Sequence, residues 1–339
     1  MHRFVQVSFG KDLEKSLNFY VDVRQACTNL DLVVNHVVVN MAGLGTQAHQ
    51  LVKGKHNKRT TAFVKACMAA CYVTIPTSEN IITRLHLFLH CGQVSLVNGL
   101  ITQAESFFKQ CIQTIKDIPS TIEASASVPL SVEEAIAEFV ADLARVMVCM
   151  PGHPENGPQY LVQALCSVVG KFPWNKLSTP HRAHSQMRLM ELLCAYCQDT
   201  LPFRVLGVDG NDVLFPSPSE KAPCVDLLNK TLQEFLGDLG ELKEAGVDDP
   251  VALALQASLM FELHQLLVTN ALFTKGMATL VFNLFMGAHK SGELSRPKAL
   301  KAVAAVRQME TDLERSIQPG LTLKIYRDVA NKMAQTAGL

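Results

Sequence analysis

Apolar residues in this chain return every three or four positions far more often than every second one. The clearest run is Ile101, Ala104, Phe107, Phe108, Cys111, Ile112, Ile115 and Ile118, a spacing that gathers one face of a 3.6-residue turn and predicts an amphipathic helix up to Pro119. A second helix is predicted from Ser131, where Glu134 completes a capping box, through Ala135, Ile136, Phe139, Val140, Leu143 and Met147 to a stop at Pro151. Thr179 before Pro180 and Asp249 before Pro250 mark further starts, since proline lacks an N–H that the first turn would leave unpaired anyway. Stops are predicted near Gly54, Pro76, Gly170 and Gly240.

The pattern predicts an all-α fold of about a dozen helices of roughly 12–24 residues joined by short turns. Successive helices of similar length, with no single long buried one among them, predict an α-solenoid of stacked antiparallel, HEAT-like pairs that exposes a concave surface. No Gly-, Pro- or Ser-rich linker divides the chain, so residues 1–339 read as one domain with a surface loop over 120–129. Two stretches depart from helical spacing. Val37, Val38 and Val39 form a β-branched run that suits a strand, and segment 201–220 carries turn chemistry between two apolar pieces, suiting an irregular loop or a hairpin.

Composition narrows the class. Hydrophobic residues make up 48% of the 339 positions, enough for a large core. Lys plus Arg and Asp plus Glu are both 31, so no global field draws the chain to nucleic acid or an anionic membrane. Ten scattered cysteines and an N-terminus without a cleavable apolar segment read as reduced thiols of a cytoplasmic protein. No apolar run reaches the roughly 18 residues that span a bilayer, the best candidate being 277–288, so membrane association is expected only through partners.

Motifs that resemble chemistry fail on their surroundings. Gly43, Gly45 and Ala48 match a dinucleotide-binding turn, yet no acidic residue between 32 and 78 takes a ribose hydroxyl, so a close helix crossing is expected instead. His181 with His184, and Cys194 with Cys197, have zinc-ligand spacing, but on one helix the two pairs stand about 20 Å apart at roughly 1.5 Å per residue. They read as packing cysteines and surface histidines. His86 and His90 have metalloprotease spacing, with Leu87 where the general base belongs. Asp209, Asn211 and Asp212 hint at a calcium loop, but Val213 and Leu214 occupy positions that need an oxygen ligand and a glycine, so a turn is expected. No G-x-S-x-G elbow or phosphate loop occurs, and no catalytic, cofactor-binding or metal residue is assigned.

Two surfaces carry the binding expectations. Phe203, Leu206, Leu214 and Phe215 are apolar residues interrupted by turn formers, suited to protrude and contact a protein partner. Lys53, Lys55, Lys58 and Arg59, extended by Lys65, form a basic turn for which a solvated loop, an acidic partner and a phosphoinositide headgroup stay open. Trp174 suits either a protein contact or the chain's own core.

RLHLFLHCG at 84–92, QAESFF at 103–108, CVDLLNKTL at 224–232 and MFELHQLL at 260–267 resemble, in that order, helices of the large α-solenoid subunit of retromer. The opening FGKDLEKSLNFYVDVRQACTNLDLVVNHVVVNMAGLG at 9–45 is more similar to the retriever (Commander) branch of the same family. The resemblance implies a cytoplasmic scaffold, peripheral on endosomes, that returns membrane cargo to the cell surface. It also implies a small phosphodiesterase-fold subunit on the C-terminal half and an arrestin-fold subunit held by an N-terminal Pro-Arg-Leu-Tyr-Leu motif. That motif does not occur here, which predicts a C-terminal piece or short isoform of a longer protein. The competing readings are a helical metal- or nucleotide-dependent enzyme and a helical module that binds phosphoinositides directly.

Overall fold

The computed structural model describes residues 9–338 except 11, 122–129, 154, 175–178, 199–203, 246–248, 271–274, 293 and 316–320. Among the described residues the chain is all-α, with fourteen α-helices, one 3-10 turn at Ile75–Thr77 and no strand beyond an isolated bridge between His153 and Gly157. The helices group into two compact units, residues 1–178 with 199–224, and residues 179–198 with 225–339.

The first unit contains α1 (Leu13–Ala26), α2 (Asp31–Val52), α3 (Lys58–Thr74), α4 (Ile81–Val97), α5 (Ile101–Thr121), α6 (Leu130–Met147), α7 (Tyr160–Lys171) and the single turn α9 (Asn211–Leu214). Each of α1 to α4 packs on the next helix and the next but one, as stacked helix pairs do; α4 and α5 share the largest interface, and α5 also meets α7. The second unit holds α8 (Thr179–Cys197), α11 (Pro250–Thr269), α12 (Lys275–Lys290), α13 (Arg296–Arg315) and α14 (Leu321–Thr336). It also takes most of α10 (Pro218–Ala245), from Val225 onward. Here α11 packs on α8, α12 and α13, while α14 closes on α12 and α13.

Local chemistry accounts for the ends. Asn57 caps α3 in a reciprocal box with Thr60, Asn80 caps α4 by accepting from the Thr83 N–H, and Asp249 caps α11 through the Val251 N–H with Pro250 in the first turn. The 101–118 stripe is buried as a set: Ala104, Phe107, Phe108, Cys111, Ile115 and Ile118 are at most 1% exposed. Gly92 on α4 lets α5 approach, since a Cβ there would lie 2.4 Å from the Phe108 ring. The side chain of Ser131, the expected cap of α6, and the 122–129 part of the expected loop lie outside the described residues.

Three expectations are corrected. Val37, Val38 and Val39 belong to α2, not a strand; Val37 and Val38 are buried at a helical spacing with Val34, Met41 and Ala42, and that burial overrides their β-propensity. Gly240 does not end a helix, because α10 buries Phe235, Leu239 and Leu242 on one face across it and continues to Ala245. Among the described residues the best candidate span is not 277–288 but α11, 20 residues long and apolar enough to cross a bilayer, with half of its apolar window buried. Polar Gln256, Glu262 and His264 mask it in the linear pattern; Gln256 donates to the Leu239 carbonyl at 2.8 Å, and His264 Nδ1 is 3.0 Å from the Val281 carbonyl.

Candidate interaction site

Segment 204–217 is not a hairpin. It is an irregular loop of the first unit that carries the single turn α9 and is pinned on two sides. The Val213 and Leu214 N–H groups both donate to the Gly210 carbonyl at 3.0 Å, which makes the turn. Asn211 is 6% exposed; its Oδ1 accepts from the Gly152 N–H at 2.7 Å and its Nδ2 donates to the Pro158 carbonyl at 3.4 Å. Arg204 Nη2 donates to Asp212 Oδ2 at 2.6 Å, and Gln159 Nε2 donates to the Glu220 carbonyl at 2.8 Å. The Asp-Gly-Asn-Asp sequence therefore serves the loop's own bonds, as a turn rather than a calcium site.

The four loop residues expected to bind a partner separate. Phe203 lies outside the described residues. Leu214 is 45% exposed on α9, and Val213, which sequence reasoning did not single out, is 47% exposed beside it. Phe215 is half-buried, its ring so close to Gly152 that a Cβ there would lie 2.9 Å away. Leu206 stands apart at the loop apex, 81% exposed, just before Gly207 with its positive φ of 77°. A Cβ on Gly54 would be 3.5 Å from Leu206 Cδ2, so the apex adjoins the basic turn.

That turn is tightly built. Gly54 N–H closes the end of α2 on the His49 carbonyl at 3.0 Å, and Lys53 takes the left-handed conformation (φ 53°). Among the described residues it is the one non-glycine with positive φ. Lys53, Lys55, Lys58 and Arg59 are all exposed, and among the described residues Arg59 alone of the four is paired, with Glu14 at 2.8 Å. Beneath them the His49 and His56 rings lie 5.7 Å apart; burial first, and then the charge of His49, hold His56 below the usual histidine range.

The remaining motifs fall into structural places. Gly45 meets Val94, Val64 and Met68, with a Cβ only 3.0 Å from Val94, which is the expected close crossing; Gly43 meets nothing within 4 Å. Cys194 is buried, and burial foremost, then Cys197 and Glu191, pushes its thiol up to about 12, so the thiolate that zinc binds is disfavoured there. No group of three His, Cys, Asp or Glu is placed to hold a metal among the described residues. His86 packs edge-on against Phe139. Trp174 donates its indole N–H to the Val169 carbonyl at 3.0 Å and packs on Phe172, closing the end of α7.

Known proteins place this architecture. A family model described as the VPS35L C-terminal domain matches residues 1–330. A "VPS35 endosomal protein sorting factor-like" protein of Dictyostelium discoideum is 34% identical over 288 residues, covering 84% of this chain and 28% of that protein. The human "VPS35 endosomal protein-sorting factor-like" protein is 31% identical over 317 residues, covering 93% and 32%, and the mouse one 36% over 214 residues, covering 63% and 22%. The chain thus spans no more than about a third of the length of these curated relatives.

Proposed function

The chain belongs to the VPS35L C-terminal domain family, and from that premise we propose that it is the helical scaffold part of an endosomal protein-sorting complex of the retriever type. In this reading it makes and breaks no bond. It works in the cytoplasm, peripheral on endosomes, and supports return of integral membrane proteins to the cell surface. The full-length protein also engages an arrestin-fold subunit and other Commander components.

Its own task is to hold a small phosphodiesterase-fold subunit. The observation that carries this is a loop pinned by Asn211 to the Gly152 N–H and by Arg204 to Asp212, with apolar Val213 and Leu214 on its outer side. Preformed loops lose little entropy on docking, and exposed apolar side chains held by rigid neighbours are what a protein partner can desolvate. Leu214, together with Phe215 and Phe203, is the proposed contact. Replacing Leu214 and Phe215 by Asp is expected to abolish capture of the phosphodiesterase-fold subunit in a pull-down with helicity unchanged; full capture by that variant rejects the assignment.

A further inference from the structure

One patch of the first unit is left without a role by that reading: the basic turn and the loop apex against it. Lys53, Lys55 and Lys58 are exposed and take part in no ion pair among the described residues, whereas Arg59 is neutralised by Glu14. The one exposed acid on the loop's apical side is Asp209. Two leucines are exposed beside this cationic turn, Leu206 at 81%, next to Gly54, and Leu51, in the last turn of α2, at 61%. Lys53 also holds a left-handed conformation that glycine adopts at lower cost.

Each element has a bland reading alone, as a solvated lysine or a stray leucine. Together they have the two components that a lipid interface rewards. Cations gain from the negative surface potential of an anionic leaflet, and apolar side chains gain by leaving water for the headgroup–acyl boundary. A purely polar acidic segment would be drawn by the lysines, but it offers Leu206 no apolar environment. We propose that Lys53, Lys55, Lys58, Leu51 and Leu206 form a docking surface for an anionic lipid bilayer, with the leucines entering the interfacial layer and the lysines lying on headgroup phosphates. Leu206 sits on a closed turn there, because the Val208 N–H to Val205 carbonyl bond at 3.1 Å closes the apex and the Arg204–Asp212 pair ties its leading arm to α9. With few cations and two leucines the attachment is weak and reversible, fitting a protein whose main hold on an endosome is through partners.

Vesicle flotation of the purified protein tests this, with phosphatidylcholine vesicles, the same vesicles carrying phosphatidylserine, and the same carrying a phosphoinositide. Binding is expected to both anionic compositions at low salt and to the neutral one hardly at all. Changing Lys53, Lys55 and Lys58 together to Gln is expected to weaken it about a hundredfold, and Leu206→Ala about tenfold. Raising the salt severalfold should release most of the protein. Equal binding to neutral vesicles, no binding to either anionic one, unchanged binding by Leu206→Ala, or preference for soluble polyglutamate over vesicles each overturns the proposal. The Leu214→Asp, Phe215→Asp variant should float like the parent, and the lysine variant should still capture the protein partner, so the two assignments fail separately.

Discussion

The two units hold their helices by different means. In the first, helix interfaces are set by shape, Gly92 admitting the Phe108 ring and Gly45 admitting Val94, and several buried polar side chains turn back on their own helix. Ser95 donates to the Cys91 carbonyl, Asn98 to Val94 and Thr74 to Ala70. Inside it the weak thiol donors Cys71 and Cys111 reach the Val38 and Leu85 carbonyls across helix pairs, whereas ties through oxygen and nitrogen such as Gln110 to Tyr72 and Asn211 to Gly152 lie at the rim and in the loops. In the second unit the cross-helix ties run through the interior. Arg182 pairs with Asp238, which is 4% exposed, Gln256 bonds the Leu239 carbonyl, and His264, 1% exposed, meets the Val281 carbonyl. Shape tolerates changes of pH and salt but not of volume; buried polar bonds behave the other way round.

Acid should therefore bear harder on the second unit, and this is the largest effect expected: burial lowers His56 and His90 of the first unit as well, but both are partly exposed, whereas His264 is 1% exposed. Burial, opposed in part by the bond to Val281, lowers the His264 pKa from 6.5 to about 4. The folded ring is neutral where the unfolded one takes a proton. Above about pH 6.5 the group adds no pH dependence; as pH falls toward 4 the unfolded state is favoured, and below about 4 the loss levels off. A shift of that size corresponds to up to about 3 kcal/mol. Peptide-resolved hydrogen exchange at pH 7 and pH 4.5 should show protection falling in α11 and α12 more in the parent than in His264→Gln. Identical pH dependence in the two proteins would remove His264 from this role.

The converse test overfills the first unit. In Gly92→Ala the new Cβ, 2.4 Å from the Phe108 ring, must displace that ring, which is 0% exposed. We expect a loss of about 2 kcal/mol, the cost of overpacking a tight core, read by denaturant unfolding and confined in hydrogen exchange to α4 and α5. Gly43→Ala is the control, since nothing lies within 4 Å of its Cβ position. It should be neutral or slightly stabilising, because alanine favours a helix more than glycine does. A neutral Gly92→Ala would mean that shape does not set the α4–α5 interface.

How far the sequence carried differs between the units for the same reason. Period reports burial, so the α5 stripe and the stop before Gly54 were legible, and the resemblance of RLHLFLHCG and its companions identified the family. Period is silent on polar bonds across a helix pair: nothing in the spelling of Gln256 or His264 announces the carbonyls of Leu239 and Val281. The valine run at 37–39 misled because β-propensity is a preference for partly buried surroundings, which a helix packed on both sides also supplies. The loop was recognised as apolar and turn-rich, yet its pairing with Gly152 and the closeness of Leu206 to Gly54 are long-range facts that no local pattern encodes.

The smallest expected effect on stability bears most directly on function. Asn211→Ala removes the acceptor of the Gly152 N–H and the donor to the Pro158 carbonyl, two bonds that tie together loops more than fifty residues apart. Both loops border solvent, so water can replace part of what is lost, and the global cost should be about 1 kcal/mol. Locally the consequence is larger. Without the pin, α9 keeps the Arg204–Asp212 pair and its own single turn, and a single helical turn is not stable alone. Exchange should quicken at Gly152 and across 211–215 while α2 to α5 keep their protection, and capture of the phosphodiesterase-fold subunit should weaken severalfold. Asn211→Asp keeps the acceptor for Gly152 and should retain most of the capture. If both variants bind as the parent does, preorganisation of this loop contributes nothing to recognition, and the partner reads another face of the unit.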